Sequence, residues 1–178
     1  MCGICGIYNF KGNLINRTLL NEVTSIMRHR GPDGSGTFIN GSIGLGHRRL
    51  SIIDIEGGGQ PLTNEDNTQY LVFNGEIYNF IELREELEKR GHIFRTKSDT
   101  EVIIHSYEEW GIECVKRFNG IFAFALWDCK ARRLILARDH LGVKPLYYVF
   151  LKDKLLFASE IKSLLLDKDY SKEVDINA

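Results

Sequence analysis

Apolar positions recur along the chain in two rhythms, and together they predict strands and helices with short connections. Residues 2–10 read as a strand. Over residues 17–28 the apolar positions return at helical spacing, with Leu19, Leu20, Val23, Ile26 and Met27 on one face and Asn16 as the cap. Residues 31–36 are a loop by composition. Residues 37–40 and 42–53 look like paired strands joined at Asn40-Gly41. Residues 55–67 are Gly-rich and polar, an exposed loop, and 69–73 form a strand. Helices are predicted over 79–90, with Asn79 and Glu82 as a capping box and Gly91 as the stop, and over 100–110, with Ser98 and Glu101 in the same relation and Gly111 as the stop. Strands follow over 121–127, 133–138, 146–151 and 155–158, then a short helix over 161–166. The segment 121–127 has no polar alternation, so both of its faces should be buried.

Strands, then helices, then strands imply an α+β fold with antiparallel pairing: two stacked sheets covered by helices. At 178 residues the chain suits one domain. Apolar residues make up 43% and charged residues 26%, with a net charge of −1 and no basic stripe. That balance argues against nucleic acid or an anionic membrane as partner. No apolar run is long enough to span a bilayer and no secretory signal opens the chain. The four cysteines are too sparse for a disulfide framework, which makes a reduced, cytoplasmic protein the expectation.

Chemistry enters at Cys2. A small residue after the initiator methionine permits removal of Met1, leaving a thiol and a free α-amine on one residue. A thiolate nucleophile beside an amine that titrates near pH 8 is a minimal kit for acyl transfer. Three other segments stand out. In His47-Arg48-Arg49, arginines within an apolar strand need an acid partner or an anionic ligand, and at most one of the two faces a given site. In Phe73-Asn74-Gly75-Glu76-Ile77-Tyr78-Asn79, read as a turn between strand and helix, an Asn amide beside a Gly N–H can serve a developing oxyanion. The Gly would let the backbone approach a ligand. Asp99 either caps the third helix or, with Ser98 and Glu101 capping, is left for a cationic ligand. Taken alone, the arginines could be salt-bridged and the Asn-Gly pair an ordinary turn. As a set they offer a thiol, oxyanion donors, a cation and two acids, the parts that hold an α-amino acid and attack its side-chain carbonyl.

These motifs carry a family resemblance. The opening Met-Cys-Gly-Ile-Cys-Gly-Ile resembles the start of class II glutamine amidotransferases, a branch of the N-terminal nucleophile hydrolases. So do residues 28–36, 47–54, 74–79, 98–101, 138–148 and 158–162. Within that family, His-Arg-Gly-Pro-Asp-Gly and Asn-Gly-Glu-Ile-Tyr-Asn look like the asparagine synthetase branch. The resemblance implies a four-layer αββα sandwich over residues 1–178. It implies Cys2 as nucleophile with its own α-amine as base, Asn74 and the Gly75 N–H as oxyanion hole, and Arg49 on the glutamine α-carboxylate. Glu76 and Asp99 would take the α-ammonium, and no metal or organic cofactor is expected for this half-reaction. Asparagine synthetases continue into an ATP-dependent domain, where ATP and Mg2+ are implied. This chain stops about where that domain should start, which favours an excised glutaminase domain over a stand-alone protein. The partners implied are L-glutamine, the C-terminal synthetase domain and, as an option, a second copy of the chain. The ammonia acceptor is left open: aspartate, or another acid or sugar. Rival readings are a Cys2-x-x-Cys5 redox protein, a zinc site, for which Cys114 and Cys129 lack the needed spacing, and an inactive module that keeps the fold.

Overall fold

The computed structural model describes residues 1–51 and 57–173. The end of the expected 42–53 strand and part of the 55–67 loop therefore lie outside the described residues. Five strands form one sheet in the order β2-β3-β1-β9-β8: Gly34–Asn40, Ile43–Arg49, Gly3–Asn9, Lys154–Ala158 and Tyr147–Phe150. Four form the other, β4-β5-β6-β7: Leu62–Thr63, Gln69–Ile77, Gly120–Asp128 and Arg133–Arg138. Every pairing among the described residues is antiparallel.

Side-chain alternation along these strands builds three apolar layers. On β6, Phe122, Phe124 and Leu126 pack with α2 (Phe80–Lys89) and α3 (Asp99–Trp110). The intervening Ala123, Ala125 and Trp127 meet Ile4, Ile43, Leu45 and Phe157 of the other sheet. The far face of that sheet, with Cys5, Ile7 and Leu156, packs on Leu20 and Val23 of α1 (Arg17–Ser25) and Leu164 of α4 (Ile161–Leu164). The result is helices, sheet, sheet, helices: the expected αββα sandwich, with β6 buried on both faces. Each fully buried Leu or Phe contributes on the order of 1.5–3 kcal/mol, and both sheet faces collect such residues.

Local departures have local causes. Asn16 caps α1 by accepting from the Leu19 N–H, but the helix ends at Ser25 rather than 28. Beyond it the chain tightens into i−3 bonds, Arg28 N to Ser25 O and Arg30 N to Met27 O, and Arg30 turns back so that its Nε donates to the Cys2 carbonyl at 2.9 Å. Strand β2 starts at Gly34, inside the expected 31–36 loop. A 3-10 helix, Gly111–Arg117, follows α3 without a gap.

Two caps depart from expectation. The Asn79 side chain makes no bond to the α2 backbone. It donates to Arg117 O at 3.0 Å and accepts from Asn119 N at 2.9 Å, tying the helix start to the strand that follows. Ser98 does cap α3, accepting from Thr100 N. Glu101 does not complete a box: it accepts from Arg95 N and Thr96 N instead.

The largest correction is β5. It runs to Ile77 rather than stopping at Phe73, so Asn74, Gly75 and Glu76 lie within the strand and not in a turn. They pair with Ala123, Phe122 and Ile121 of β6. Glycine at 75 is required by that pairing: a Cβ there would meet Ile121 O at 2.2 Å and Phe122 Cα at 2.6 Å. The missing side chain lets β6 approach closely here.

Candidate active site

The two sheets part at one end to leave a cavity of about 220 Å3, smaller than the roughly 300 Å3 at which pockets for drug-sized ligands begin. Cys2, Arg49, Asn74, Gly75, Glu76 and Asp99 all line it, so residues from the first strand to the third helix converge on one space. Met1, Gly58, Gln60, Ser98, Thr100 and Lys144 line it as well and were not singled out from sequence as substrate contacts.

Cys2 immediately precedes β1. Its Sγ receives the Leu50 N–H at 3.4 Å and lies 3.6 Å from Leu50 O, two contacts that orient the side chain. Met1 N donates to Arg30 O at 3.3 Å, so with Met1 in place the Cys2 nitrogen is an amide. Cys5 falls on the helix-facing side of β1, fully buried against Thr24 Oγ1 at 3.3 Å. Burial pushes its thiol up to about 12, which makes Cys5 inert and removes the chemistry a Cys-x-x-Cys redox pair needs.

The strand register sorts the two arginines. Arg48 Nε donates to Gly31 O at 3.0 Å, holding the loop ahead of β2, while Arg49 lines the cavity. On β5 the backbone alternates in the same way. Phe122 exchanges bonds with Asp139 on its far side, through Asp139 N to Phe122 O and Phe122 N to Asp139 Oδ2. Its partner Gly75 therefore belongs to a pair not bonded across β5–β6, and the N–H groups of residues 73, 75 and 77 point away from β6. Gln60 Oε1 accepts from Phe73 N at 2.7 Å and Asp99 Oδ2 accepts from Ile77 N at 3.0 Å. Strand β4 reaches only Tyr70 and Leu71. The Gly75 N–H is left between these two capped positions, facing the cavity. Beside it the Asn74 Nδ2 is buried with no hydrogen-bond partner among the described residues. Both groups belong to residues that line the cavity.

Glu76 and Asp99 bring carboxylates to the same space. Burial pushes the Asp99 carboxyl above the usual carboxylate range; the Ile77 N–H and Ser98 hydroxyl pull it back, and the Glu76 charge pushes it up again. A cationic ligand group between the two would relieve both the burial and the repulsion. Lys144 reaches the cavity from a loop fixed by Asp139, which accepts from the N–H groups of Leu141, Val143 and Lys144. Burial pushes that carboxyl up, but these donors outweigh it and hold it low.

A thiol, an amide side chain, a strand N–H, a cation and two acids line one amino-acid-sized cavity. The family model for the glutamine amidotransferase domain matches residues 1–178. The chain belongs to this family. Among curated relatives of this amidotransferase domain, an asparagine synthetase [glutamine-hydrolyzing] 1 of Bacillus subtilis is 47% identical over 169 residues, covering 93% of the chain and 27% of the relative. Asparagine synthetase B [glutamine-hydrolyzing] of Escherichia coli is 43% identical over 167 residues, covering 93% of the chain and 30% of the relative. The chain thus spans under a third of the length of these two relatives. Among solved structures, a glutamine phosphoribosylpyrophosphate amidotransferase from B. subtilis matches with a TM-score of 0.75 at 24% identity, covering 93% of this chain and 43% of that one. That likeness bears on the fold alone, the four-layer αββα sandwich expected from the sequence.

Gln60 had no legible signal, because it stands in a Gly-rich loop and acts through a strand edge formed elsewhere. Lys144 lies in the 138–148 motif, and its charge could have been weighed. Among the described residues no helix is long and apolar enough to cross a membrane.

Proposed function

We propose that this domain is the glutaminase half of an asparagine synthetase-like enzyme, acting in the cytoplasm and feeding ammonia to a synthetase domain of the same polypeptide. The observation that carries the chemistry is the pairing of the unpartnered, buried Asn74 Nδ2 with the outward Gly75 N–H in the cavity that holds Cys2.

Arg49 takes the glutamine α-carboxylate, while Glu76 and Asp99 take the α-ammonium. This places the side-chain amide against Cys2 Sγ. Once Met1 is removed, the freed α-amine of Cys2 accepts the thiol proton, and the thiolate attacks the amide carbon. The carbonyl oxygen becomes an oxyanion held by Asn74 Nδ2 and the Gly75 N–H. Collapse of this tetrahedral species breaks the C–N bond, the α-ammonium returns its proton to the leaving nitrogen, and ammonia departs, leaving a γ-glutamyl thioester. Water, activated by the same amine, hydrolyses the thioester to glutamate and regenerates the thiol. Side-chain and backbone groups supply every step of this half-reaction; ATP and Mg2+ belong to the synthetase half.

The test is the state of the N-terminus. Mass spectrometry paired with a glutamine hydrolysis assay should show turnover in proportion to the fraction of chain lacking Met1, and none in a folded Cys2→Ala variant. Equal turnover from chain that retains Met1 would sink the mechanism.

A further inference from the structure

Away from the glutamine cavity, the β4–β5 loop and α3 bring together Glu65, Glu101, His105 and Glu108. His105 is 1% exposed, and its two ring nitrogens are placed differently. Nδ1 lies 2.8 Å from Glu108 Oε2, a contact that places a proton on Nδ1. Nε2 is buried and has no hydrogen-bond partner among the described residues. It points between Glu65 Oε1 at 3.6 Å and Glu101 Oε1 at 3.7 Å. Those separations are too long for hydrogen bonds. They are close to the edge of roughly 3.3 Å spanned by tetrahedral ligands about 2.0–2.1 Å from zinc. A ring lone pair facing two carboxylate oxygens is repulsive, and either a second ring proton or a metal cation among them relieves it.

We infer that Glu65 Oε1, Glu101 Oε1 and His105 Nε2 form a binding site for a divalent transition-metal ion of the zinc class, with water completing its coordination. The surroundings are those of a metal ligand set. Glu108 orients the imidazole through Nδ1, as carboxylates do behind metal-bound histidines, and is itself held by Asn64 Nδ2 at 2.8 Å. Glu101 is fixed by Arg95 N at 2.9 Å and by Thr96 N and Oγ1 at 2.7 Å. Glu101 and His105 are one helical turn apart, and Glu65 comes from the loop, so the ion ties that loop to α3. The Glu65 side chain is 47% exposed and opens a route for the ion from solvent. His92, His105 and Glu108 form a second cluster, but Glu108 there already holds the His105 Nδ1. The ion touches no residue of the glutamine cavity, and the inference does not rest on the glutaminase reading.

The probe is Zn2+ titrated into chelator-treated protein in a Cys2→Ala background, followed by calorimetry and thermal unfolding, with Co2+ as a spectroscopic substitute. The expected result is one ion per chain, a raised unfolding temperature and the strong visible bands of low-coordinate Co2+. Glu65→Gln, at a half-exposed position that leaves the fold intact, should weaken Zn2+ binding by roughly tenfold or more, and His105→Gln more still. His92→Gln should leave it unchanged. No stabilisation of the parent chain by Zn2+, or equal affinity in the parent and Glu65→Gln, overturns the assignment and leaves the cluster as an imidazolium held by carboxylates.

Discussion

A buried amide nitrogen without a partner, as Asn74 Nδ2 is among the described residues, costs on the order of 1–3 kcal/mol. It is worth that cost only if an oxygen arrives to accept from it. Asn74→Ala should therefore lower kcat by about 10²–10³ with little change in KM, while the unfolding midpoint holds or rises, because the orphaned donor is gone. Steady-state kinetics decide this: a large rise in KM at constant kcat would make Asn74 a substrate-binding residue instead. The arginines separate at the same scale. On the proposed binding mode, Arg49→Ala removes a charge-assisted fork on the α-carboxylate of about 1.5–3 kcal/mol, so KM should rise roughly tenfold to a hundredfold. Arg48→Ala frees the Gly31 carbonyl and should show mainly as lost stability. The reverse ranking in KM would overturn the assignment of strand faces.

Among the elements, one dipeptide appears in two settings. At Asn40-Gly41 the glycine has φ +58 and closes the β2–β3 hairpin; at Asn74-Gly75 the chain stays extended and β5 continues beside β6. Local pattern predicts a turn at both, and only the long-range partner separates them. Asn79 fails to cap for the same reason, since its bonds go to residues 38 and 40 positions away. What was legible depended on local chemistry or residue type: the caps at Asn16 and Ser98, the double burial of β6, and the six chemical groups now found around one cavity. What was not legible depended on register, including Gln60 over Phe73 N and the β6 backbone against Gly75. Gly75→Ala tests that register. A Cβ 2.2 Å from Ile121 O must push β5 from β6, so the variant should lose activity and unfold at lower temperature together. A Gly75→Ala protein with native stability and an unchanged rate would show that the pairing at this point is not tight.

At the scale of the whole molecule, the sheets are joined by apolar packing and, at the buried His47, by a polar contact across the layer. His47 Nε2 lies 3.1 Å from Phe73 O, linking the strand of Arg49 to the strand of Asn74, and as N–H it donates there. Burial pushes this imidazole down to about 4; the Phe73 carbonyl pulls it up, and Arg49 and Arg48 push it down further. The folded value is below the unfolded one, near 6.5. Above pH 6.5 both states are neutral and the contribution of the site is complete. As pH falls below that, the unfolded chain takes a proton the folded chain refuses, and stability is lost until the folded ring also protonates near pH 4. With about 1.36 kcal/mol for each pKa unit, the loss is on the order of 3 kcal/mol. Urea unfolding between about pH 7 and pH 4.5 should show it, superimposed on the titration of the carboxylates. His47→Gln supplies an amide N–H for Phe73 O without a titrating ring, so its stability should fall less steeply across the same window. Parallel slopes for the two proteins would mean that His47 protonates without disturbing the fold, and that the sheets are held together here by packing alone.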